Sequence, residues 1–143
     1  MINKIRLQTN TDINASEQVL SWFEQLNQPP SISAEIWWQC QTLLQEGFMN
    51  IVEHAHKSLP DDTPIDIEAA RTNTSIEIRI WCYGKYFDLK HKLAEIDDLE
   101  ANYGDRGRGL KIMSAIADYM SYEQMPDRRY CLFMSKSYQH IIE

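Results

Sequence analysis

A single long helix constrains what this chain can become. Ser31 or Ser33 starts it, Glu35 sits in its first turn, and it runs to about Lys57. At about 100° per residue, Ile36, Cys40, Leu43, Leu44, Gly47 and Ile51 fall within one arc of about 100°. A stripe of that width needs a second layer to lie on. Along its border run a carboxylate, an amide and an imidazole: Glu46, Asn50 and His54. Each stands four residues from the next, and residues four apart are neighbours on a helix surface. Asn50 and His54 lie within or beside the buried arc, and Glu46 lies just outside its edge. Polar groups there are costly unless they are hydrogen-bonded or face a cleft. Spacing alone admits both readings, a satisfied semi-buried network or a general base beside a metal ligand. His54 taken singly reads as a structural histidine. Gly47 costs the helix about 1 kcal/mol relative to Ala, which points to close approach of a sheet or a ligand. Trp38, Gln45, Met49 and Val52 occupy the opposite side and are expected to be covered by the preceding helix.

The other elements supply the second layer. Ile2 to Thr9 alternates, with Ile5 and Leu7 set against Lys4, Arg6 and Gln8, and reads as a short strand. Asp12 or Asn14 caps a helix that runs to about Asn27, with Val19, Leu20, Phe23 and Leu26 as its stripe. Pro29 and Pro30 end it. After a turn at Pro60, Asp61 and Asp62, Ile65 to Arg71 and Ser75 to Tyr83 alternate as strands around a hairpin turn at Thr72, Asn73 and Thr74. A polar helical stretch from about Leu89 to Glu100 follows, then a loop from Asn102 to Gly109. Leu110 to Ala117 is a helix with Leu110, Ile112, Met113 and Ile116 apolar. Two last strands, about Tyr119 to Gln124 and Arg129 to Ser135, turn at Pro126 and Asp127. The pattern predicts one domain over residues 1–143, an α+β two-layer sandwich: a mixed, mostly antiparallel sheet with helices on one face.

Composition narrows the class. The net charge of -7 argues against a nucleic-acid partner, which needs a basic face. It leaves room for a phosphate ligand, because main-chain amides and a few cations suffice there. Cys40, Cys82 and Cys131 fit neither a disulfide framework nor a zinc site by number and spacing. Free thiols, no signal-peptide core in Met1 to Asn10 and no stretch near the roughly 20 apolar residues of a membrane span predict a cytoplasmic protein.

Gly104, Asp105, Arg106, Gly107, Arg108, Gly109 and Leu110 precede an apolar helix. Glycines there permit unusual backbone angles, and amides at the start of the next helix favour anions. Arg106 and Arg108 add positive charge. The segment lacks the GxxxxGK[ST] pattern of a P-loop. In order along the chain stand Glu-x3-Asn-x3-His on a long helix, a strand ending near the lone Gly84, then Gly-Arg-Gly-Leu opening a helix. This order resembles the GHKL, or histidine-kinase-like, ATPase superfamily. More closely it resembles the bacterial anti-sigma factor serine/threonine kinases of the RsbW and SpoIIAB type, over nearly the whole chain.

The resemblance implies a histidine-kinase-like ATPase fold, ATP and Mg²⁺ as cofactors, Asn50 as the Mg²⁺ ligand and Glu46 as the general base on an attacking hydroxyl. It implies that Asn50, His54, Cys82 and Gly84 contact the nucleotide, together with Arg106, Gly107, Arg108, Gly109 and Leu110. The stretch from about Phe87 to Asn102 corresponds to a lid. The implied partners are a small antagonist protein, phosphorylated on serine, and a sigma factor or similar regulator, with a homodimer as a further family habit. The chain departs from the family at its first glycine box, usually Asp-x-Gly-x-Gly. Cys82 stands where the adenine-reading aspartate belongs, and Tyr86 where the second glycine belongs. A thiol is a weak acceptor, and losing that hydrogen bond costs about 1–3 kcal/mol of nucleotide binding. The alternative function is therefore a degenerate GHKL-fold module that docks partners without kinase activity.

Overall fold

The computed structural model describes residues 3–84 and 108–138. In chain order these form β1 (Asn3–Thr9), α1 (Ser16–Phe23), α2 (Ala34–Asn50), β2 (Ile65–Arg71), β3 (Ser75–Cys82), α3 (Arg108–Ile116), β4 (Tyr119–Gln124) and β5 (Tyr130–Ser137). The polar helix expected from Leu89 to Glu100 lies outside the described residues. The strands form one sheet in the order β1-β2-β3-β5-β4, and all four pairings are antiparallel. The expectation of a mostly antiparallel sheet under a helical layer holds in this stricter form.

Alternation decides which face is covered. Ile67, Ile78, Ile80, Leu132 and Met134 point into the helical layer and are buried. On the opposite face Arg6, Glu68 and Arg79 stand in register across β1, β2 and β3. Glu68 is buried there because it is paired: it accepts from Arg6 Nε at 3.0 Å, and Arg79 lies 3.7 Å away.

Helix starts follow the capping residues. Asp12 accepts the Asn14 N–H at 2.9 Å and opens a 3₁₀ turn that leads into α1. The Ser33 hydroxyl accepts the Ile36 N–H at 3.3 Å and caps α2. α1 docks on α2 through Phe23, which stacks on Trp37 with ring centres 4.6 Å apart. Glu24 accepts the Trp37 indole N–H at 2.8 Å. This docking corrects one expectation. α1 sits on the Trp37 side of α2, and the adjacent Trp38, turned about 100° away, stays 61% exposed. Met49 and Val52 are half-buried.

Gly47 lies where α2 meets the sheet. A Cβ there would stand 2.8 Å from Met134 Cε and 3.1 Å from Ile80 Cδ1. The close approach read from the sequence is therefore made by the sheet, which holds the end of α2 tight against β3 and β5.

Candidate functional site

The end of α2 does not continue as an α-helix to Lys57. Past Asn50 the chain makes a π-helical turn, Ile51–Ala55, closed by the His56 N–H donating to the Ile51 carbonyl at 2.8 Å. An i→i+5 turn holds one more residue than an α-turn and is frequent at functional sites. The extra residue changes which histidine faces inward. On an unbroken α-helix His54 continues the buried arc and His56 points away. In the structure His54 is exposed and His56 is 1% exposed. The ladder read from the spacing thus keeps Glu46 and Asn50, both half-buried, on the α-helical part, while His54 leaves the buried face.

His56 is held at both ring nitrogens. The Tyr83 N–H donates to Nε2 at 2.9 Å. A main-chain N–H can only donate, so Nε2 carries no proton and the ring proton sits on Nδ1. Nδ1 lies 2.8 Å from the Thr11 hydroxyl, which in turn donates to the Thr63 carbonyl at 2.7 Å. Burial pushes the His56 pKa below its usual value. The same strand end is clamped sterically. A Cβ on Gly84 would stand 2.4 Å from Ala55 Cβ and 2.7 Å from the Ala55 carbonyl oxygen. Only glycine permits this approach of β3 to the π-turn.

One residue before Tyr83, Cys82 faces the helical layer and is fully buried. Its sulfur lies 3.5 Å from the Tyr122 hydroxyl of β4, whose ring stacks on Tyr130 at 5.1 Å. Burial pushes the Cys82 thiol up, opposed by the Tyr122 hydroxyl and the Gly84 N–H. Burial also raises Tyr122. Both groups are neutral at physiological pH, and the phenol places an oxygen beside the weakly accepting sulfur.

Glu46 meets the other end of the site. A Cβ on Gly109 would stand 2.7 Å from Glu46 Oε2, so the carboxylate rests against the first turn of α3. Burial, and then the neighbouring Glu53 carboxylate, push the Glu46 pKa up. A raised pKa makes a carboxylate a stronger proton acceptor. Leu110, 6% exposed, anchors α3 in the core. Arg106, Gly107, Tyr86 and the lid expected from Phe87 to Asn102 lie outside the described residues, as does the side chain of Arg108.

The structure therefore brings Glu46 to Gly109, and the π-turn after α2 to Tyr83 and Gly84. Among the described residues, no group of three or more histidine, cysteine or acidic side chains could hold a metal ion. A cation at Asn50 would need oxygens from a bound ligand as well, the usual arrangement for magnesium with phosphates.

These elements, in this order, match a known pattern. The family model for the histidine kinase-like ATPase domain matches residues 9–136. The chain belongs to that family. Its fold is similar to a chain in the crystal structure of the SiaB-SiaC complex from Pseudomonas aeruginosa, with a TM-score of 0.56 and 16% identity. The similarity covers 92% of this chain and 89% of that one. No curated protein matches the sequence. No helix among the described residues is long and apolar enough to cross a membrane.

Two residues of this candidate site carry no clear mark in the sequence. His56 falls on the solvent side of an α-helical wheel, and only the π-turn brings it inward. Tyr122 sits on a strand whose alternation puts it toward the helices, but its partner lies in β3, 40 residues away.

Proposed function

We propose that this chain is an ATP-dependent serine/threonine protein kinase of the anti-sigma, partner-switching kind. The observation that carries this reading is the Glu46 carboxylate seated against Gly109 of α3, one turn along α2 from Asn50. Phosphoryl transfer needs a cation on the phosphates, a base near the nucleophile and fixed positions for both. Asn50 would hold Mg²⁺, and the opening of α3 would face the phosphates with its main-chain amides. Bound Mg-ATP supplies the phosphoryl group and the charge neutralisation. Glu46 takes the proton from the attacking serine hydroxyl as the new P–O bond forms, and the bond to the ADP oxygen breaks. Cys82, Gly84, Arg106, Gly107, Arg108 and Leu110 complete the nucleotide contacts in this reading, which leaves out His54 because the π-turn turns it to the surface.

The substrate is a small antagonist protein, and the second partner is a sigma factor or similar regulator. Similarity to a chain crystallised in a two-protein complex supports protein partners. Cytoplasmic location and homodimerisation belong to the same proposal.

The Cys82–Tyr122 contact favours a second reading, a docking module with a degenerate base pocket. Calorimetry with Mg-ATP separates the two. The kinase reading expects the native chain to bind, and Cys82→Asp to bind about 10–100-fold more tightly, the worth of one regained hydrogen bond. No binding by the native chain, with binding gained by Cys82→Asp, establishes the degenerate module.

A further inference from the structure

We propose that His56 is a positioning residue that locks the two halves of the nucleotide site together. The inference rests on the nucleotide-site reading above. One half, with Asn50, ends in the π-turn; the other begins at Cys82 and Gly84. His56 lies on the first and binds the second, through the Tyr83 N–H at Nε2. Tyr83 sits between Cys82 and Gly84, so this hydrogen bond fixes the main chain at the base pocket's edge.

Three features show that the lock is built. The π-turn turns His56 inward in place of His54. The Thr11 hydroxyl, itself committed to the Thr63 carbonyl, accepts from Nδ1–H and leaves Nε2 free of a proton for Tyr83. Gly84 has no room for a Cβ against Ala55, so the strand end and the turn are in main-chain contact beside the hydrogen bond. If the bond is lost, a part-buried N–H loses its partner and the strand end is held by contact alone. The nucleotide would then meet two halves no longer in fixed relation, and the order it must restore would appear as lost affinity.

Two substitutions split the ring. His56→Asn keeps a donor near the Nδ1 position and removes the acceptor for Tyr83. His56→Gln reaches the Nε2 position and keeps that acceptor. The expected result is that His56→Asn weakens Mg-ATP binding about tenfold or more, while His56→Gln stays within about threefold of the native chain. Amide hydrogen exchange read without nucleotide should accelerate at Tyr83 in His56→Asn and not in His56→Gln. Should His56→Asn fail to fold, Thr11→Val provides the second variant. It frees the ring to place its proton on Nε2, and it too should speed Tyr83 exchange and weaken binding.

Equal losses of affinity in the Asn and Gln variants, tracking equal losses of thermal stability, would reduce His56 to a packing residue and overturn the proposal. So would unchanged Tyr83 exchange in folded His56→Asn. If the native chain binds no nucleotide, the function reading fails on its own, and Tyr83 exchange alone still decides whether His56 is the lock.

Discussion

Replacing Gly47 with Ala sets helix propensity against packing, and the structure says which wins. In an open helix the change gains about 1 kcal/mol. Here the new methyl carbon would lie 2.8 Å from Met134 Cε, 3.1 Å from Ile80 Cδ1 and 3.4 Å from Leu132 Cδ2. Carbon atoms prefer separations of about 3.5–4.0 Å, so two contacts fall well short. Met134, Ile80 and Leu132 are each fully buried, at 0% exposure, so none can swing into solvent. Either α2 lifts from the sheet or Met134 leaves its rotamer, and overpacking of this kind costs about 1–3 kcal/mol. The balance is a net loss of about 1 kcal/mol, or about 3–4 °C in Tm for a domain of this size. Scanning calorimetry measures it. Adding Met134→Leu removes the Cε atom that clashes most, and the pair should be more stable than the sum of the single changes, with a coupling of about 0.5 kcal/mol or more. A rise of about 3–4 °C in Gly47→Ala alone would mean that α2 does not press on the sheet here. The placement of Glu46 and Asn50 would then lose its support.

Gly109→Ala should separate activity from stability. Its backbone angle is not left-handed, and among the described residues a Cβ there meets the Glu46 carboxylate alone. Melting should be unchanged or slightly raised, while phosphotransfer falls about 10–100-fold from a displaced base; full activity in this variant would remove Glu46 from the chemistry. Stability should also depend on pH through His56. Its folded pKa lies below the unfolded value of about 6.5, so the unfolded chain binds the proton more readily. Stability is then complete above that value, declines as pH falls through it, and levels off below the folded pKa. The difference between the native chain and His56→Gln isolates this effect, because Glu46 titrates in both. A difference that does not vary between pH 8 and 5 would contradict it.

Much of the layout could be read without coordinates. The limits of β2 and β4 follow from alternation and turn residues, and Asp12 and Ser33 cap as their side chains allow. Glu46, Asn50 and Gly109 stood out because spacing and glycine placement are local properties of the chain. The length of the α-helical part of α2 was not legible. A π-turn is set by whether the Ile51 carbonyl meets the His56 N–H, and that depends on what β3 offers opposite. Exposure of Trp38 was equally hidden, since it turns on whether Phe23 stacks on residue 37 or on its neighbour.

Sequence by itself determined the two layers, the antiparallel habit of the sheet and a carboxylate and an amide one turn apart at the edge of a buried face. Those follow from periodicity, which every local segment expresses alone. Tertiary structure decided which histidine turns inward, that Glu46 rests on Gly109, and that Cys82 shares its burial with Tyr122. Each of these is a contact between segments distant in the chain. Its geometry is set by how closely helix and sheet pack, and no single segment carries that distance.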